Sequence, residues 1–271
     1  MRLTSLNDIT TKYRHIFLSP HFDDVVYSCG GTLGVQVSCG LRPLVITIFS
    51  GPPAPNQELS PLAIQEHRKM GVGVTQEPGY AIEVRQKEDA AALDYLQADY
   101  LWLDYPEAIY RGTPPYYTTV EQVIGGDVHP EDLRIDQQLA QDLLNLQSRL
   151  PDAAWYAPLG VGRHVDHQIV CSAADRLVQR GAKVYFYEDF PYVTKEGALQ
   201  ARLQELGGAY EPELVEMSEM LPQRIKATYL YPSQIERNFP NQEAVRKIIE
   251  SYTYSIRPVE TVHLERYWTA R

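Results

Sequence analysis

What most restricts the fold of this chain is a set of short, almost wholly apolar runs that end abruptly in polar or glycine-rich turns. Leu44-Val45-Ile46-Thr47-Ile48-Phe49 shows no alternation, so both faces of such a strand must be covered, as in a parallel sheet layered between helices. Tyr13 to Leu18, Ala98 to Asp104, Ala153 to Leu159 and Gly181 to Tyr187 read as further strands. Between them lie segments with helical spacing: Thr32 to Cys39 as a short helix or strand partner, Pro61 to Met70, and a helix from near Glu83 with Ala90, Ala91, Leu93 and Leu96 on one face. Asp132 to Arg149 carries Leu139, Leu143, Leu144 and Leu146, while Ala198 to Leu206, Gln223 to Tyr229 and Glu243 to Tyr252, helped by Asn241 as a cap, follow later. This alternation predicts an α/β fold with a mostly parallel sheet and helices on both faces. At 271 residues and 44% hydrophobic content, one domain over 1–271 suffices. Residues 105–130, rich in Pro, Gly, Tyr and Thr, read as an insertion or lid; its Tyr116-Tyr117 pair reads better as packing than as a stacking platform for a ligand.

Two of the strand ends carry chemistry. Ser19-Pro20-His21-Phe22-Asp23-Asp24 follows the first strand, and Gly30-Gly31 with Thr32 and Leu33 reads as a turn entering a helix. Ligands of open α/β sheets bind at the carboxyl ends of strands. In a tight turn His21 and Asp24, three residues apart, can share one metal while Asp23 points at its rim. A catalytic zinc needs a third protein ligand and an open position. Gly160-Val161-Gly162 and Arg163-His164-Val165-Asp166-His167 follow another strand, and one of these two histidines would complete the set.

Composition narrows the partners. A net charge of −10 and a pI near 5.2 argue against a nucleic-acid binder, which needs clustered Lys and Arg. The expected partner is a small neutral or cationic molecule, and a homo-oligomer is left open. Cys29, Cys39 and Cys171 have no disulfide or metal spacing and read as small buried apolar residues in a reducing compartment. The first residues lack the apolar core of a signal peptide and no run approaches membrane-spanning length, so the expectation is a cytoplasmic protein without membrane contact. Histidines 15, 67, 129 and 263 have no partner motif and read as structural.

The first motif resembles the signature of the LmbE-like, or PIG-L, family of zinc-dependent N-deacetylases, a small residue before His-Pro-Asp-Asp, with Phe22 in place of the proline and Val25 where many members carry glutamate. Ser28-Cys29-Gly30-Gly31-Thr32-Leu33 continues the pattern. Arg85 and Glu88 match the family's Arg-x-x-Glu, His164-Val165-Asp166-His167 its second motif, and Glu188-Asp189 with Pro191-Tyr192 a stretch of its sugar-modifying members. Lys226, Ala227, Tyr231, Ser233 and Gln234 fit a later pattern, and Glu265-Arg266-Tyr267-Trp268 its ending. Several ordered matches carry more weight than a lone His-x-Asp-Asp.

The resemblance implies a Rossmann-like three-layer sandwich and hydrolysis of an N-acetyl or similar N-acyl group on an amino sugar or glycoconjugate. It implies zinc, or another divalent metal, on His21, Asp24 and His167, polarising the acyl oxygen and acidifying a water. Asp23 would take the proton. His164, as a cation oriented by Asp166 through its other ring nitrogen, would stabilise the oxyanion and protonate the amine. Arg85 would contact substrate, with a solvated helix face or a pair with Glu88 or Asp89 also open; Asp104, at the end of its strand, is a second candidate substrate ligand, with a turn-capping role equally open. Two rivals remain: a metal-dependent hydrolase or hydratase of a non-sugar substrate, and a nucleotide-binding module, against which the first turn lacks Gly-x-Gly-x-x-Gly spacing.

Overall fold

The computed structural model describes residues 1–73, 79–257 and 262–270. Strand β1 (His15–Ser19) leads into α1 (Asp24–Ser38), then β2 (Leu44–Thr47), α2 (Pro61–Lys69), α3 (Tyr80–Tyr95) and β3 (Asp99–Trp102). Residues 105–130 contain a 3-10 turn at Ala108–Tyr110 and the short α4 (Val120–Val123), and are followed by α5 (Leu133–Arg149), β4 (Ala154–Pro158), α6 (Val165–Gln179) and β5 (Lys183–Tyr187). The last part holds α7 (Ala198–Leu206), β6 (Tyr210–Glu216), α8 (Leu221–Thr228), α9 (Pro232–Asn238), α10 (Gln242–Ser255) and β7 (Leu264–Ala270). The strands form one seven-stranded sheet in the order β3-β2-β1-β4-β5-β7-β6. The first five are parallel, with Phe17 paired to both Val45 and Tyr156, and β7 and β6 close one edge antiparallel.

From β1 the chain winds toward β3, then returns to β4 and winds the other way. Right-handed crossovers therefore put α1 and α3 on one face and α5 and α6 on the other, the expected Rossmann-like sandwich. The direction reverses between β1 and β4, the place where an open sheet leaves a crevice at its carboxyl edge. Both motif turns emerge there.

Two sequence expectations change, and one strand carried no sequence signal. Gly30 and Gly31 do not form a turn; they lie inside α1. A Cβ on Gly31 would meet Met217 Sδ at 2.6 Å and Glu265 Oε1 at 2.8 Å, so glycine permits close packing rather than a bend. There the buried Glu265 accepts the Gly31 and Thr32 N–H groups and pairs with Arg224 at 3.0 Å. Cys39 is exposed at the end of α1, whereas Cys29 and Cys171 are buried. Strand β6 has no apolar pattern because it is an exposed edge carrying Glu211, Pro212, Glu213 and Glu216, a composition that discourages further strand pairing. Among the described residues no helix is long and apolar enough to cross a membrane.

Candidate active site

The turn after β1 is tied to itself. Ser19 Oγ donates to the His21 carbonyl at 2.5 Å and accepts the Val25 N–H at 3.1 Å, while Asp24 Oδ2 accepts the His21 N–H at 2.7 Å. That same oxygen lies 3.2 Å from His21 Nδ1 and 3.3 Å from His167 Nε2, the histidine arriving from the first turn of α6. His167 Nε2 is buried and has no hydrogen-bond partner. With only the Asp24 oxygen beside it at 3.3 Å, this imidazole nitrogen withdrawn from water is available to a cation. Donor atoms of His21, Asp24 and His167 all lie within 4.8 Å of one another. Two imidazoles and one carboxylate are a donor set that zinc accepts, so the residues fit a divalent metal.

Behind each histidine stands a carboxylate. His21 Nε2 donates to Asp166 Oδ2 at 2.9 Å and His167 Nδ1 to Asp189 Oδ1 at 2.6 Å. A carboxylate only accepts, so each contact fixes the proton on the outward nitrogen and aims the other lone pair at the shared point. Asp189 is itself held by the Gly160 and Val161 N–H groups at 2.8 Å each. Asp166 receives Arg111 on Oδ1 at 2.6 Å and the Ala108 N–H on Oδ2 at 3.1 Å. Burial alone would raise its pKa, but Arg111 and His21 hold it far below the usual carboxylate range.

Asp166 thus does not orient His164 through its side chain, as the sequence implied; its carboxylate is turned to His21. His164 Nδ1 instead accepts the Asp166 backbone N–H at 3.2 Å, which leaves the hydrogen on Nε2. Burial and the adjacent His21 lower its pKa from that of a free histidine, which favours the neutral ring over the expected cation. His21, His164 and Asp166 also converge as a second trio, but the Arg111 guanidinium on Asp166 opposes a metal there.

Asp23 precedes α1 without capping it. Arg85 Nη2 donates to Oδ1 and Asn238 Nδ2 to Oδ2, both at 3.2 Å. Burial, then the neighbouring Asp24, raises the pKa of Asp23. Arg85 also pairs with Glu107 and lies 5.1 Å above the Phe22 ring, which gives the phenylalanine of the first motif a place under the guanidinium. These groups open into a shared cavity. Its walls are Leu62 and Glu66 of α2, Ile109, Val123 and Ile124 of the insertion, and Gln234, Arg237 and Asn238 of α9.

The structure brings His21, Asp23, Asp24, Arg85, His164 and Asp166 to the cavity, with His167 just behind. Asp104 is exposed and does not line it; Glu107, three residues on, does. Tyr116 stacks on His129 at 4.3 Å and Tyr117 is buried, so this pair serves packing. Sequence reasoning missed Arg111, Glu107 and Asn238, and saw Asp189 only as part of a matching stretch. A lone Asn near the end of a short helix carries no local signal.

The family model described as PIG-L: GlcNAc-PI de-N-acetylase matches residues 16–178. A 2'-N-acetylparomamine deacetylase of Niallia circulans is 31% identical over 190 residues, covering 67% of this chain and 68% of the relative. A 2'-N-acetylparomamine deacetylase of Streptomyces fradiae is 27% identical over 240 residues, covering 86% and 77%. Among solved structures, the zinc-inhibited form of teicoplanin deacetylase Orf2 superposes with a TM-score of 0.81 at 25% identity, covering 95% of this chain and 98% of the other.

Proposed function

This chain belongs to the PIG-L family of de-N-acetylases, and from that premise we propose that it hydrolyses the N-acetyl group of an amino sugar, in a cavity that holds zinc on His21, Asp24 and His167. The observation that carries the reading is the pair of histidines whose outward nitrogens are each fixed by a buried carboxylate while the inward nitrogens share Asp24. A divalent metal held there supplies Lewis acidity to an otherwise unreactive amide.

The remaining work falls to the chain's own groups. Asp23, with its pKa raised by burial and Asp24, is matched to take a proton from the attacking water and to return it to the departing nitrogen. His164 keeps its hydrogen on Nε2 and donates it as a hydrogen bond to the acyl oxygen while negative charge develops. As a neutral donor it stabilises charge without serving as the acid, which leaves proton transfer to Asp23. The apolar side of the cavity accepts a sugar's ring face and the acidic and amide side its hydroxyl and amino substituents. The names of the two curated relatives favour an aminoglycoside-type amino sugar.

The test is acetate release from 2'-N-acetylparomamine and N-acetylglucosamine by protein whose metal content has been measured. Stoichiometric zinc with acetate release on either substrate supports the reading. Stoichiometric metal with no release from any N-acetylated sugar would return the hydratase or non-sugar hydrolase to first place.

A further inference from the structure

All the metal, base and donor residues above lie between 21 and 167, yet the cavity is closed by α9, beyond the segment 16–178 that the family model matches. Gln234, Arg237 and Asn238 stand at helical spacing i, i+3 and i+4, so they share one face, and all three line the cavity. Asn238 Nδ2 donates to Asp23 Oδ2 at 3.2 Å, while Oδ1 belongs to Arg85.

A carboxylate offers about four lone-pair sites on two oxygens. One donor on each oxygen fixes the plane of the group and leaves a lone pair on each for water or nitrogen. Arg85 alone would not do this, because its guanidinium is shared with Glu107. The amide is also uncharged, so it orients the base without the loss of basicity that a second guanidinium would bring.

The helix does not need Asn238 to stay in place. Ser233 is held by Glu88 through N–H and Oγ at 2.9 and 2.6 Å, Arg237 by Glu66 at 2.6 Å, and Ile235 is buried. We propose that Asn238 is a positioning residue for the base, so that the C-terminal part of the chain sets the orientation of Asp23. The inference rests on the reading of Asp23 as the base.

The experiment is a double-mutant cycle on zinc-loaded full-length protein, with kcat and KM measured on whichever of the two acetylated sugars is turned over. Asn238→Leu keeps the branched heavy-atom shape and removes the donor. A hydrogen bond to a charged group predicts a fall in kcat of roughly tenfold with KM and metal content unchanged. In an Asp23→Asn background the same change should cost under about twofold, since the group it positions is gone. Additive losses, an unaltered kcat, or a rise in KM alone would each overturn the proposal. A wild-type rate in Asp23→Asn by itself would instead sink the reading beneath it. Independently of turnover, a crystal structure of Asn238→Leu should show the Asp23 carboxylate rotated from its present plane, and an unmoved carboxylate counts against it.

Discussion

Asp166 and Asp89 are equally hidden from solvent, yet their surroundings push their pKa values in opposite directions. Asp166, at the cavity, is met by Arg111 and His21 and stays ionised. Asp89, in the framework between α3, β3 and the turn before α9, is met by neutral donors, Trp102 Nε1 at 2.6 Å and Tyr231 Oη at 2.8 Å. Burial raises its pKa to about 7. Burial sets the cost of the charge, and the charge of the partner decides whether it is kept. At the cavity the guanidinium of Arg111 and the imidazole of His21 keep Asp166 charged. Changes there should therefore alter metal binding and rate, whereas changes in the framework should alter stability and its pH dependence.

The largest expected effect tests the cavity half of that contrast. His21→Ala and His167→Ala should each empty the metal site and abolish turnover, measured by metal analysis of the purified variants. Full occupancy in either would break the assignment. Next comes Asp23→Asn, which keeps the shape and removes the proton acceptor; kcat should fall about 10²- to 10⁴-fold with metal retained. Loss of metal along with rate would mean that Asp23 and Asp24 have exchanged roles.

A smaller effect separates the carboxylates behind the histidines from the groups that do chemistry. Asp166→Asn and Asp189→Asn should weaken metal affinity by about 10- to 100-fold, read by competition with a chelator. His164→Ala should leave affinity unchanged and lower kcat. If Asp166→Asn behaved like His164→Ala, with affinity intact, the side chain would act on His164 after all, against the contact observed at His21.

Much of this site was legible in the sequence because it is local: His21, Asp23 and Asp24 share one turn, and His164 and His167 share another. The unalternating strands placed both turns at the same sheet edge. What could not be read was pairing across distance. Asp166 sits two residues from His164 but serves His21, 145 residues away in sequence, and Asn238 reaches Asp23 across 215. Glu107 replaced Asp104 because the chain leaves β3 in an extended bridge to Phe49 before it turns toward the cavity. Phe22, a departure from the family's proline, gained its reason only once Arg85 was seen above it.

The smallest expected effect belongs to the framework. Folded Asp89 titrates near 7, whereas an unfolded aspartate titrates near 3.9. Between those values the folded chain holds a proton that the unfolded chain has lost, so unfolding releases it and this group's contribution to stability falls as pH rises. Below about 4 both states are protonated and above about 7 neither is, which confines the slope to that window. Asp89→Asn is permanently neutral and keeps an oxygen for Trp102 or Tyr231. Relative to wild type it should be most disadvantaged near pH 4, gain steadily toward pH 7 and level off above it, with kcat at neutral pH within about threefold because no cavity group is changed. Urea midpoints of both proteins at pH steps from 4 to 8 give the difference directly. A constant difference across the range would show that Asp89 is ionised when folded, and the contrast with Asp166 would then lie in geometry alone rather than in charge.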